Sequence, residues 1–181
     1  MPNITSETKT HKILNKSRNL LVENTVTETD IFSYTVPANT LGTLNALHIR
    51  FGGSFLNSSG SGVTYTMRFK FGATTLFSDV TASFASSAIR RPLDFDVVLA
   101  ANGATNAQVF GGNVMMSVAT AATIGVGDIG TDEQAGYGPI LGVDSTEDST
   151  ANKDFKLTIQ PSVANVNAEV LISSVYVELI Q

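Results

Sequence analysis

The stretch Val63-Thr64-Tyr65-Thr66-Met67-Arg68-Phe69-Lys70-Phe71 decides the fold. Val, Tyr, Met and two Phe hold its odd positions, and Thr, Thr, Arg and Lys its even ones. On a helix those apolar residues scatter around the circumference. On a strand, whose successive side chains point to opposite faces, they gather on one side. The stretch therefore predicts a β-strand with one face on a core.

The same period of two recurs on both sides of it. Phe32, Tyr34 and Val36 alternate before Pro37, and Leu47, Ile49 and Phe51 alternate against His48 and Arg50. Leu93, Phe95, Val97 and Leu99 alternate against Asp94 and Asp96, and Phe155, Leu157 and Ile159 against Lys156, Thr158 and Gln160. Turn chemistry separates these runs. Asn57-Ser58-Ser59-Gly60-Ser61-Gly62 reads as a hairpin loop, Asn102-Gly103 tolerates positive φ, and Pro161 ends a strand. Gly52-Gly53 and Gly111-Gly112 interrupt apolar runs and read as bulges or bends. No helix of ten residues or more is indicated. The expectation is an all-β fold, an eight- or nine-stranded antiparallel jelly-roll-like sandwich with an extended N-terminal arm.

Domain organisation follows from where the alternation stops. Residues 1–18 show none and read as the arm, leaving residues 19–181 as one sandwich domain, a size that buries roughly two-thirds of the unfolded chain's surface. A Gly-rich, acidic stretch at about 121–152 reads as a long loop. The last run, Val170 to Ile180, is apolar on both faces. Such a strand needs cover on both sides, from the sandwich itself or from a neighbouring subunit. Val170, Ile172, Val175, Val177 and Leu179 are the residues expected to form an intersubunit surface.

Of the 181 residues, 43% are apolar and 15% charged, and the net charge is −5. The charge is split. Lys9, Lys12, Lys16 and Arg18 against Glu7 give residues 1–18 a net +3, and seven basic against fifteen acidic residues leave −8 for the rest. An acidic body has no general attraction for phosphate backbones, so nucleic acid is not an expected partner. The four cations of the arm are candidates for docking onto an acidic neighbour. There is no cysteine, hence no disulfide or thiolate metal site. The N-terminus lacks a secretory h-region, and Val114 to Val126 is too short and polar to span a bilayer. The expectation is a soluble protein made in the cytoplasm, with no membrane partner.

No catalytic constellation stands out. The only histidines are His11 and His48; a Ser-His-Asp site would have to use His48, and no nucleophile elbow accompanies it. Gly125-Val126-Gly127-Asp128-Ile129-Gly130 is a literal G-x-G-x-x-G, yet no helix follows to hold a pyrophosphate. Asp94 and Asp96 share a strand face as a glycosidase pair could, but Arg90 and Arg91 read as their counter-charges and no Trp supplies a sugar platform. Tyr34, Tyr137 and Tyr176 are the remaining aromatic candidates. The acidic loop reads as solvated, without calcium-loop spacing. No catalytic, cofactor-binding or metal-ligating residue is assigned.

The run from Glu28 to Gly42, the strand ending Phe71-Gly72-Ala73-Thr74-Thr75-Leu76, Asn106-Ala107-Gln108-Val109 and Ser174-Val175-Tyr176-Val177-Glu178-Leu179 together resemble small β-sandwich virion structural proteins of tailed bacteriophages, over about residues 25–180. The resemblance implies a non-enzymatic jelly roll, often a homotrimer, that assembles on the virion. Its partner would be the major capsid protein or another virion protein. A capsid decoration or cement protein suits the basic arm and the two-faced last strand. A tail or fibre module that meets a host glycan, and a shell-forming capsid jelly roll, are the other positions the resemblance allows.

Overall fold

The computed structural model describes residues 11–17, 19–117 and 135–181. Over these the chain is an all-β antiparallel sandwich. Its strands in order are β1 (His11–Ser17), β2 (Leu20–Val22), β3 (Thr29–Val36), β4 (Ala46–Asn57), β5 (Tyr65–Phe71), β6 (Thr74–Val80), β7 (Ser87–Ala104), β8 (Ala107–Ser117), β9 (Ala135–Leu141), β10 (Lys153–Pro161) and β11 (Ala168–Ile180). The larger sheet runs β1-β11-β4-β7-β8-β9, with β2 also on β11, and the smaller runs β3-β10-β5-β6. Most connections, from β2 to β3 through to β10 to β11, cross from one sheet to the other. The set β2-β11-β4-β7 facing β3-β10-β5-β6 is the pairing of a jelly roll, with the β8–β9 hairpin added beyond β7.

The odd positions of the opening stretch face inward. Val63, Tyr65, Met67, Phe69 and Phe71 are all buried, against Leu47, Ile49, Phe51, Leu93, Phe95 and Val97 from the larger sheet. Phe69 is the hub. Its ring lies 5.4 Å from Phe95, 5.3 Å from Phe110, 5.9 Å from Phe51 and 6.0 Å from Phe155, centroid to centroid. These are edge-on and tilted arrangements that aromatic quadrupoles favour.

The structure changes several expectations. Residues 11–17 are not a free arm: they form edge strand β1, antiparallel to β11, with Lys16 opposite Tyr176. The Asn57–Gly62 loop closes no hairpin, because β4 and β5 lie in different sheets. It crosses between them, pinned by the buried Asn57 amide, which donates to Ser61 O and Phe84 O, both at 2.7 Å. The described residues form eleven strands rather than eight or nine. The long acidic loop is interrupted by β9, paired to β8.

The last strand is not two-faced. Between Ile172 and Ser174 the β11–β4 register slips, leaving Ser173 as an extra residue. A bulge of one residue inverts the parity of everything after it. Val170 and Ile172 before it, and Val175, Val177 and Leu179 after it, therefore all turn to the core and are buried. That corrects their assignment to an intersubunit surface. Glycine at position 53 lets the strands close here, since a Cβ would lie 2.3 Å from Leu171 O.

Candidate functional site: a groove on the outer face of the larger sheet

Because side chains alternate, the inward rows of β4, β7 and β11 leave outward rows on the other face of the larger sheet. Cross-strand register sets Tyr176, Arg50, Asp96 and Asn113 in one row, and Ser174, Gly52, Asp94 and Met115 in the next. Together with Glu178 these residues line an open groove of about 650 Å³. Gly52 makes its floor low: a Cβ there would meet Ser174 Oγ at 2.9 Å and Asp94 Oδ1 at 3.3 Å. Ser173, the bulged residue, donates its hydroxyl to Gly52 O at 2.9 Å and fixes the backbone beside it.

Charge in the groove is largely internal. His48 Nε2 lies 2.7 Å from Asp96 Oδ1, and its Nδ1 lies 3.6 Å from Glu178 Oε2. Arg50 Nε lies 3.3 Å from the other oxygen of Asp96. Asp94 is different. It receives no hydrogen bond and forms no ion pair among the described residues, and burial raises its carboxyl from its ordinary value, opposed by the nearby Arg50 charge. Tyr176 flanks the groove with the Lys16 ammonium 5.2 Å from its ring centroid, a cation–π distance.

The arrangement offers no triad. Both imidazole nitrogens of His48 face carboxylates, so neither is left to take a proton from a serine hydroxyl. Asp94 and Asp96 do share the face read from their spacing, but Arg90 and Arg91 are not their counter-ions. Four residues along a strand is roughly 13 Å, whereas the cross-strand neighbour is about 5 Å away, so Arg50 and His48 take that place. Arg90 pairs with Glu169. Arg91 is only 4% exposed, with its guanidinium carbon 5.9 Å from the Phe55 ring.

Of the expected docking cations, Lys12 and Lys16 stand exposed on β1, and Lys9 and Arg18 lie outside the described residues. So do the G-x-G-x-x-G run and the side chain of Tyr137. Tyr34 is half-buried on β3, and burial raises its phenol. Among the described residues no three His, Cys, Asp or Glu side chains converge as a metal site would require. Only the outward placement of some members is legible in the sequence, because the groove is assembled from four strands whose order no local pattern encodes.

No family model matches the chain, and no curated protein matches it. Among solved structures, the CBM2 module of the evolved Dit of Lactobacillus casei BL23 phage J-1 is similar at a TM-score of 0.40 and 10% identity, covering 91% of this chain and 76% of that one. Structures of infectious bursal disease virus, Gx and Gt strains, are similar at TM-scores of 0.36 each and 8% and 10% identity. The chain spans 42% of the length of those viral chains and is itself covered to 94% and 96%. The neighbours are thus phage and viral proteins, and the likeness is one of general form at scores that transfer no function.

Proposed function

We propose that this chain is a non-enzymatic structural protein of a bacteriophage particle, of the capsid decoration or cement kind. It would act as a homotrimer that binds the major capsid protein and remains on the virion. The observation that carries this reading is a basic rim on an acidic body. Strand β1 lays Lys12 and Lys16 along the edge of the larger sheet, both exposed, while residues 19–181 carry −8. A rim of one sign on a body of the other gives orientation to a docking event, because complementary potentials favour one approach and oppose the rest. The sequence resemblance to phage virion proteins supports the same reading.

Co-sedimentation with expanded capsids tests it. The full chain is expected to pellet with capsids and to be released as salt rises, since exposed charges are screened beyond about 8 Å at physiological ionic strength. The double variant Lys12→Glu/Lys16→Glu is expected to bind about tenfold or more weakly, from two reversed rim contacts. Equal binding by the variant would remove the rim from the contact. Antibody labelling of purified particles that marks the tail and not the head would replace the decoration reading with a tail or fibre module. The groove is the feature that favours this second reading, since a host-facing module requires a recess for its ligand.

A further inference from the structure

We infer that the groove on the outer face of the larger sheet binds an uncharged glycan through its hydroxyl groups. The inference rests on the groove alone and is independent of where on a particle the protein sits.

The position of the groove limits what it can recognise. It lies over β11, β4, β7 and β8, each already paired on both sides. Their backbone N–H and C=O groups are committed to the ladder, so an extended peptide cannot add as a strand here. Recognition falls to side-chain heads. Those present are carboxylate acceptors at Asp94 and Asp96, donors at Arg50 and Asn113, the ring of Tyr176 and the half-exposed thioether of Met115. Alternating acceptors and donors about one aromatic ring suit vicinal hydroxyls, each of which donates one hydrogen bond and accepts others.

Charge narrows the class further. The lining carries three carboxylates, Asp94, Asp96 and Glu178, against the Arg50 guanidinium, and even with the Lys16 ammonium over Tyr176 at its flank the groove stays net acidic, which disfavours sialylated, sulfated or phosphorylated sugars. A polycation is also poorly served. Asp96 is already held by His48 and Arg50, and Glu178 lies against His48. The acceptor left over is Asp94, a partly desolvated carboxyl with no donor among the described residues. A sugar hydroxyl supplies that donor without bringing a charge, and the missing side chain at Gly52 lets Ser174 Oγ and Asp94 Oδ1 draw together over the floor of the groove, where one hydroxyl can meet both.

The test presents the full chain to an array of neutral, sialylated and sulfated oligosaccharides, followed by saturation-transfer NMR with neutral hexose and N-acetylhexosamine oligosaccharides. Binding to neutral members, weaker for their anionic counterparts, is expected. Asp94→Asn, which makes the acceptor neutral, and Asn113→Ala, which removes a donor, are each expected to weaken it about tenfold, with unchanged unfolding midpoints. Asn113→Ala carries the test if Asp94→Asn fails to fold. No neutral binding at millimolar sugar, a preference for anionic glycans, unchanged affinity in the folded variants, or capture of a Lys-rich peptide that neutral sugar does not displace would each overturn the inference. None of these results bears on capsid co-sedimentation through the β1 rim, so the two readings fail separately.

Discussion

Phe69 shows at a single residue how the opening stretch specifies the fold. Its ring meets those of Phe51 and Phe95 from the larger sheet and Phe155 from the neighbouring strand, and it is fully buried. It therefore joins the two layers rather than only filling one. Phe69→Ala removes this joint and leaves a cavity that flanking rings cannot all move to fill. The cost is expected to be about 4 kcal/mol, in the middle of the range for buried aromatic truncations. Urea denaturation measures it directly, and a loss under about 1 kcal/mol would show that the site collapses and the hub is dispensable. Phe77, also near Phe69 at 6.4 Å but half-buried on edge strand β6, should cost visibly less when truncated.

At the scale of elements the decisive feature is the bulge at Ser173. Deep central strands announced themselves: the alternations at 47–51, 63–71 and 93–99 place their apolar residues inside as the spacing predicts. Strand β11 misled, because a period of two read across a bulge looks like two apolar faces, and nothing in Ser173-Ser174 signals the slip. Strands β1 and β9 were hidden for a different reason. Edge strands have one partner and little core to face, so their sequences carry weak alternation, and β1 looks like a polar arm. The groove was half legible, since Asp94, Asp96 and His48 were visible on outward faces, but the partners that Arg50, Asn113 and Tyr176 provide depend on strand order. The Gly53 contact supplies a test of the β4–β11 closure. Gly53→Ala drives a methyl to within 2.3 Å of Leu171 O and is expected to destabilise the chain by about 1–3 kcal/mol, as overpacking does. Gly138→Ala, on β9 with open space around it, should stay within about 0.5 kcal/mol. Equal melting temperatures for the two variants would mean that the strands relax apart at no cost.

Across the whole molecule, carboxylates fasten parts of the jelly roll that packing leaves apart. The loop after β9 gathers one end of the sandwich: Val143 N–H donates to Leu76 O, Ser149 N–H to Thr105 O, and Asn39 N–H to Ser149 O. Glu147 holds that loop, accepting from Ala73 N–H at 2.7 Å and pairing with Lys153 Nζ at 2.7 Å. On the outer face of the smaller sheet Glu28 gathers Arg68 Nη1 at 3.1 Å, Lys70 Nζ at 2.5 Å and the Thr158 hydroxyl at 2.7 Å. Both carboxyls are held below their ordinary value near 4.5, Glu147 chiefly by the hydrogen bond from Lys153 and Glu28 by those from Lys70 and Thr158. A carboxyl whose folded value is depressed stabilises the fold above its unfolded value, and that contribution disappears as pH falls through the folded one. Stability should therefore hold from neutral pH down to about 5 and decline below it. Acid also relieves the repulsion within a body carrying −8, which opposes the decline and obscures it in the parent chain alone. Comparison with Glu147→Gln separates the two effects, because both chains share the relief and only one has the titrating clasp. The difference between their urea midpoints is expected to be largest near pH 7 and to shrink as the parent's Glu147 protonates below about pH 4.5. A difference that stays constant down to about pH 3 would mean that the Glu147 carboxyl is not held low by Lys153, and that the loop is fastened by its backbone hydrogen bonds alone.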